Sequence, residues 1–245
     1  MANIFVWYEL MTRDQDAAEA FYAEVLGWKI ADAGMPDMRY SMLNVGDHPV
    51  GGMMTHDEHP FWIGYVGVDD VDAVSAELAS AGGVVHRAAD DIPGIGRFAV
   101  VADPQGAVFV LFKAAVEDGA APPYMTPGTF AFRELHTTDW KAAFAFYSGL
   151  FGWEKGEAMD MGPMGTYQLF DANGLTTGAM YDNPDMPRPM WLYYIATDAI
   201  DAAKARIEAA GGSILHGPSE VPGGMWIIQA ADPQGAMFAL VGPRG

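Results

Sequence analysis

Two glutamates carry the clearest chemical potential in this chain. Glu9, in WYELM, and Glu134, in FRELH, hold the same place in two copies of one segment. Residues 5–30 reappear as residues 130–155 with 12 of 26 identical. Residues two apart in a strand share a face, so Glu9 goes with Trp7 and Met11, and Glu134 with Phe132 and His136. The same rule groups Ile63 with Tyr65, and Leu192 with Tyr194. If Trp7 and Phe132 point into a cavity, each half places one carboxylate and one phenol among Trp, Phe and Met side chains. A carboxylate there must be hydrogen-bonded or carry a proton, because a bare charge is costly in apolar surroundings. One role for Glu9 or Glu134 is to bind a ligand's amine or hydroxyl, or to act as general base, with Tyr65, Tyr194 and His136 as partners. The other is structural: satisfying backbone donors or an arginine such as Arg97 or Arg133. His136 faces Met11 across the repeat and so breaks the symmetry.

The elements that must position these residues are also duplicated. Residues 61–112 reappear as 190–241 with 19 of 52 identical, ADPQGA included. The offset grows from 125 to 129, which places one four-residue insertion between Ile30 and Pro189. A period of this length is far beyond that of solenoids or propellers, and each copy is long enough to be a small domain. Phe5–Leu10 reads as a strand. Asp14–Leu26 reads as a helix, with Asp14 as N-cap, Gly27 as stop and an apolar stripe of Ala17, Ala18, Phe21, Val25 and Leu26. Strands follow near Tyr40–Asn44 and Val50–Thr55. The pattern then restarts with strand Trp62–Val68, helix Val71–Ala81, and strands near Val84–Arg87, Arg97–Ala102 and Ala107–Phe112. Asp103-Pro104-Gln105-Gly106 and Asp232-Pro233-Gln234-Gly235 read as type I turns. Alternation puts Trp62 and Trp191 on the helix-facing side of their sheets, opposite Tyr65 and Tyr194. The fold class is α+β: four βαβββ modules in two tandem domains, residues 1–115 and 129–245, joined by a Gly- and Pro-rich linker at 116–128.

This pattern, with TRDQDAAEAFYAEVLGW and DPQGAVFVLF, resembles the vicinal oxygen chelate superfamily, which includes glyoxalase I, bleomycin-resistance proteins and extradiol dioxygenases. The resemblance covers nearly the whole chain twice, and is nearest to tandem glyoxalase-like proteins. It implies curved sheets that enclose a cavity between paired modules. It also implies metal-ligand places at the start of a module's first strand and the end of its last. Those places fall on Trp7, Phe132, Val110 and Ala239, and on or near Ile63 and Leu192. None of these side chains offers the oxygen or imidazole nitrogen that such a cation needs, so no metal and no other cofactor is expected; the six instead line a ligand cavity with Met11. The basic residue that holds the glutathione carboxylate in glyoxalase I is replaced by Met11 and His136.

Other motifs carry less. His56-Asp57-Glu58-His59 has ligand-like residue types, but its counterpart is taken as Tyr181-Asp182-Asn183-Pro184, and the segment reads as a solvated acidic loop. The 16 methionines suit an adaptable apolar pocket or a core. No glycine cluster precedes a helix as a nucleotide site requires.

The charge balance of 32 acidic against 13 basic residues, net −19, opposes nucleic-acid binding. No apolar run reaches the length of a membrane span, no secretory signal is visible, and there is no cysteine, which together point to the cytoplasm. The expected partner is a small organic ligand with an apolar body and a polar handle, bound by a monomer (an internal pseudo-dimer) or a homodimer. Three functions compete: metal-independent lyase or isomerase chemistry, binding or sequestration without chemistry, and a metal-dependent lyase or dioxygenase with unrecognised ligands.

Overall fold

A computed structural model describes residues 3–36, 38–116 and 122–245. The linker expected at 116–128 therefore falls partly, at 117–121, outside the described residues. The first module comprises β1 (Phe5–Thr12), α1 (Gln15–Leu26), β2 (Lys29–Asp32), β3 (Tyr40–Val45) and β4 (His48–Thr55). The second comprises β5 (Phe61–Gly67), α2 (Val71–Ser80), β6 (Val84–Ile92), β7 (Gly96–Ala102) and β8 (Val108–Ala114). The third comprises β9 (Phe130–Thr137), α3 (Trp140–Phe151), β10 (Glu154–Asp160), β11 (Thr166–Ala172) and β12 (Leu175–Asp182). The fourth comprises β13 (Met190–Ala196), α4 (Ile200–Ala209), β14 (Ser213–Val221), β15 (Met225–Ala231) and β16 (Met237–Gly242). Each module is βαβββ. The described residues form two eight-stranded sheets, ordered β2-β3-β4-β1-β5-β8-β7-β6 and β10-β11-β12-β9-β13-β16-β15-β14. The short, mostly exposed β2 is the strand that the periodicity did not announce, because it buries no face of its own.

Local chemistry explains the helices. The Asp14 side chain accepts the Ala17 N–H, and Gly27 closes α1 in the left-handed region at φ 70°. Asp139 and Gly152 repeat this at α3. The match is imperfect in the second and fourth modules, where Asp70 caps α2 but Ala199 stands before α4 with no side-chain cap.

Strand register revises the position of the insertion. His56 N–H donates to Thr12 carbonyl as Asn183 N–H donates to Thr137 carbonyl, and Met11 pairs with Met54 as His136 pairs with Tyr181. The offset through this segment is therefore 183 − 56 = 127, midway between 125 and 129. The four extra residues are two insertions of two, one before β11 and one before β13. The counterpart of His56 is Asn183, and that of Tyr181 is Met54, which corrects the alignment of the His56 loop.

By packing, the described residues divide into two compact units, one built from stretches 3–6, 63–116 and 133–191, the other from 7–36, 38–62, 122–132 and 192–245. In the second of these, Tyr22 of α1 is fully buried among Trp28, Trp62 and Phe238. Its hydroxyl accepts the Trp62 indole N–H at 3.0 Å and donates to the Asp232 carboxylate at 3.2 Å. The first unit builds the same core from Tyr147, with Trp153, Trp191 and Phe109 around the ring. The Trp191 indole N–H reaches Tyr147 Oη at 3.1 Å, and Asp103 accepts its proton at 3.1 Å. Trp62 and Trp191 thus face the helices, as strand alternation requires.

The two DPQG turns do more than reverse the chain. Asp103 and Asp232 are buried, and burial pushes both carboxyls above the usual range, against the backbone N–H groups and the tyrosine that lower them. Gln105 Oε1 accepts from Thr137, Thr138 and Asp139 while its amide donates to the Asp139 carbonyl, holding the α3 start onto the second module. Gln234 holds Asp14, at the start of α1, in the same way. The shared sequence is a latch between modules.

Candidate functional site

The first carboxylate cluster is built on β1 and β3. Glu9 is 4% exposed and stands opposite Gly52 of β4. Gly52 leaves the space over which Tyr40 passes, since a Cβ there would run into the Tyr40 ring. Tyr40 reaches across β4, donates its hydroxyl proton to Glu9 and accepts the Trp7 indole N–H at 3.0 Å. Burial first, and the Glu9 charge second, raise the Tyr40 phenol well above its ordinary value, so it remains an O–H donor.

The second cluster lies on β9, β11 and β12 and is more elaborate. Glu134 is 4% exposed and His136 2%. Tyr167 donates to Glu134 Oε2 at 2.6 Å, the counterpart of the Tyr40 bond. His136 Nε2 lies 2.8 Å from Glu134 Oε1, within ion-pair distance but off the line of a hydrogen bond. On the other side of the ring, Nδ1 is 3.0 Å from Tyr181 Oη and 2.8 Å from Asn183 Nδ2. The Tyr181 phenol is also raised, by burial and then by the Glu134 charge. The carboxylates, then, have acquired tyrosine partners that sequence reasoning did not name.

The remaining expected residues are placed as follows. Tyr194 is buried, accepts the Gln229 amide at 2.9 Å and sets its ring edge-on to Phe132. Tyr65 is buried edge-on to Phe112. Val110 is the register neighbour of Tyr65, and Ala239 that of Tyr194. Ile63, Leu192, Val110 and Ala239 are buried, while Trp7, Met11 and Phe132 are half-buried. Arg97 pairs with Asp72 and Asp91 rather than with either glutamate. A hollow of about 300 Å³ opens at the C-terminal end of α1, lined by residues that include Glu24, Gly27, Thr197 and Arg206. It contains none of the expected site residues.

The family-type metal places hold aliphatic and aromatic side chains with no lone pair to offer a cation, and among the described residues no three His, Asp or Glu side chains are grouped so as to hold a metal ion. Those residues do not fit the metal. His56 turns its Nδ1 to the Glu58 backbone N–H instead, at 3.3 Å.

The sequence profile of the Glyoxalase/Bleomycin resistance protein/Dioxygenase superfamily matches residues 4–111 and again 129–240. The chain belongs to this superfamily. Among its superfamily relatives, "Putative glyoxylase CFP32" of Mycobacterium tuberculosis is 32% identical over 246 residues, covering 97% of this chain and 94% of that protein. "Anthracycline biosynthesis protein DnrV" of Streptomyces peucetius is 29% identical, covering 96% and 91%. The Mn(II)-bound glyoxalase from Novosphingobium aromaticivorans has the same fold, with a TM-score of 0.70 at 19% identity, over 100% of this chain and 83% of that one. Among the described residues, no helix of this superfamily member is long and apolar enough to cross a membrane.

Proposed function

We propose that this chain is a metal-independent member of its superfamily that binds a small organic ligand and moves a proton on it, with Glu134 as the base. The observation that carries this reading is the surroundings of Glu134: a buried carboxylate that accepts the Tyr167 proton at 2.6 Å and faces an imidazole nitrogen at 2.8 Å. The reaction that suits such a group is abstraction of a proton next to a carbonyl. The C–H electron pair moves toward the carbonyl oxygen as the proton passes to the carboxylate. Return of that proton at another carbon makes an isomerase; expulsion of a leaving group makes a lyase. The side chains at the family's metal places, none of which has a lone pair to offer a cation, support the metal-independent part. A relative named for anthracycline biosynthesis is in keeping with the ligand class, since such fused-ring compounds join an apolar body to hydroxyl and carbonyl handles.

The second reading is binding without chemistry, and Glu9 favours it for the first half, where Met11 stands in place of His136. Native mass spectrometry of freshly purified protein would recover a bound ligand, and elemental analysis would measure metal. The expected outcome is no stoichiometric transition metal, and a fall of roughly 10²–10⁴-fold in turnover of the recovered ligand on Glu134→Gln. About one transition metal per half would overturn the metal-independent reading. Full turnover in the variant would remove Glu134 as base.

A further inference from the structure

The donors behind His136 determine which ring nitrogen carries the proton. Asn183 Oδ1 accepts the Asp185 backbone N–H at 3.1 Å, which fixes the amide with its NH₂ toward the ring. That NH₂ lies 2.8 Å from Nδ1 and 3.0 Å from Tyr181 Oη. An amide NH₂ only donates. With its oxygen taking the Asn183 proton, Tyr181 turns its own O–H to Nδ1 at 3.0 Å. Nδ1, whose single lone pair the two donors share, is thus the acceptor nitrogen, and the proton of the ring sits on Nε2, on the side of Glu134. The Nε2 to Oε1 separation is already 2.8 Å, and the misalignment at Nε2 is of the kind that tightens when a ligand binds.

From this geometry we infer that Tyr181 and Asn183 are positioning residues, which fix His136 as the Nε2–H tautomer facing Glu134. The inference rests on the reading of Glu134 as a base. The role of this tautomer is to keep the ring N–H, and not a ring lone pair, facing the carboxylate that acts as base. The register shows this arrangement in one half only. Where His136 pairs with Tyr181, the first half pairs Met11 with Met54, and thioethers transfer no proton. Where Asn183 stands, the first half has His56, whose Nδ1 turns to its own loop. Three positions have changed together around a Glu–Tyr pair that both halves retain.

The test reads the tautomer directly. The full chain, labelled with ¹⁵N-histidine, gives long-range ¹H–¹⁵N correlations for each of its 6 histidines, and His136→Gln assigns the signal. The wild type should show Nδ1 unprotonated and Nε2 protonated. Tyr181→Phe combined with Asn183→Leu should convert His136 to a mixture of tautomers, with the other histidine signals and the far-UV spectrum unchanged. Tyr181→Phe alone, a milder change, should shift the His136 pattern in the same direction. A wild-type ring protonated on Nδ1 would overturn the inference, as would a pattern that neither variant alters. Turnover by Glu134→Gln is a separate measurement: a retained rate with the expected tautomer refutes the base and leaves the positioning assignment standing.

Discussion

Replacing His136 by Met converts the second half to the residue type of the first, and the structure permits the cost to be worked out. The change strips Nδ1 from two donors, Tyr181 at 3.0 Å and Asn183 at 2.8 Å, and Nε2 from Glu134 at 2.8 Å. The two donors are half-buried and recover some hydration, so each loses about 0.5–1 kcal/mol. Glu134 is buried and keeps its Tyr167 bond, while its 2.8 Å contact with Nε2 lies off the line of a hydrogen bond and contributes about 1 kcal/mol. His136→Met should therefore cost about 2–3 kcal/mol, lowering Tm by roughly 4–12 °C for a chain of this size. Tyr181→Met alone removes two bonds, to His136 and from Asn183, and ring contacts with Tyr167 and His136, about 2 kcal/mol. The double variant recreates the Met11–Met54 pair of the first half. With no imidazole left, the Tyr181 bond to it is not lost a second time, so the pair should cost about 3–4 kcal/mol instead of the additive sum of about 4–5. Urea unfolding followed by tryptophan fluorescence supplies the four free energies. A coupling within about 0.3 kcal/mol of zero would show that the ring and Tyr181 are neighbours without being partners.

The buried latch carboxylates give a pH test. Because burial raises the folded pKa of Asp103 and Asp232 above the unfolded value, stability from these groups is full below the unfolded pKa and is lost as pH rises through the folded one. Asp103→Asn and Asp232→Asn should accordingly gain Tm relative to wild type at pH 8 compared with pH 4, and a relative gain at the acid end in a thermal scan would contradict this. The latch glutamines differ in the number of bonds they make. Gln105→Ala breaks five hydrogen bonds and Gln234→Ala two, so chemical denaturation should show losses of about 2–3 and about 1 kcal/mol respectively; equal losses would mean that the extra contacts to Thr137 and Thr138 contribute nothing.

Much of the fold was legible because its determinants are local. Asp14 and Gly27 bound α1 through their own capping bonds, and DPQG forms its turn with the Asp103 carbonyl accepting the Gly106 N–H at 3.0 Å. The alternation that placed Trp62 and Trp191 against the helices is a property of single strands. What was illegible depends on sequence-distant pairing. Asp103 to Tyr147 and Gln234 to Asp14 join different modules, and nothing in a turn motif says that its side chains will latch a helix 34 or 220 residues away.

The site shows the same division. Glu9 and Glu134 stood out because the repeat preserved them and strand period assigned their face. Tyr40 and Tyr167 did not, because each lies two strands away and reaches its glutamate over β4 or β12, at Gly52 or Ala179. Only a small residue at that crossing lets the phenol through, so the signal was present as a Gly/Ala position with a Tyr on the next strand, readable once register is known. His136 was recognised as breaking the symmetry, but its partners were hidden by aligning Tyr181 with His56 when its true counterpart is Met54. Once two residues of the insertion are placed before β11, three differences that had looked unrelated, Met11 to His136, Met54 to Tyr181 and His56 to Asn183, become neighbours around one ring. Drift in a structural core predicts scattered changes that conserve volume. Three polar replacements that complete one another's hydrogen bonds, beside a carboxylate unchanged in both halves, are what selection for a proton-handling group in one half would leave.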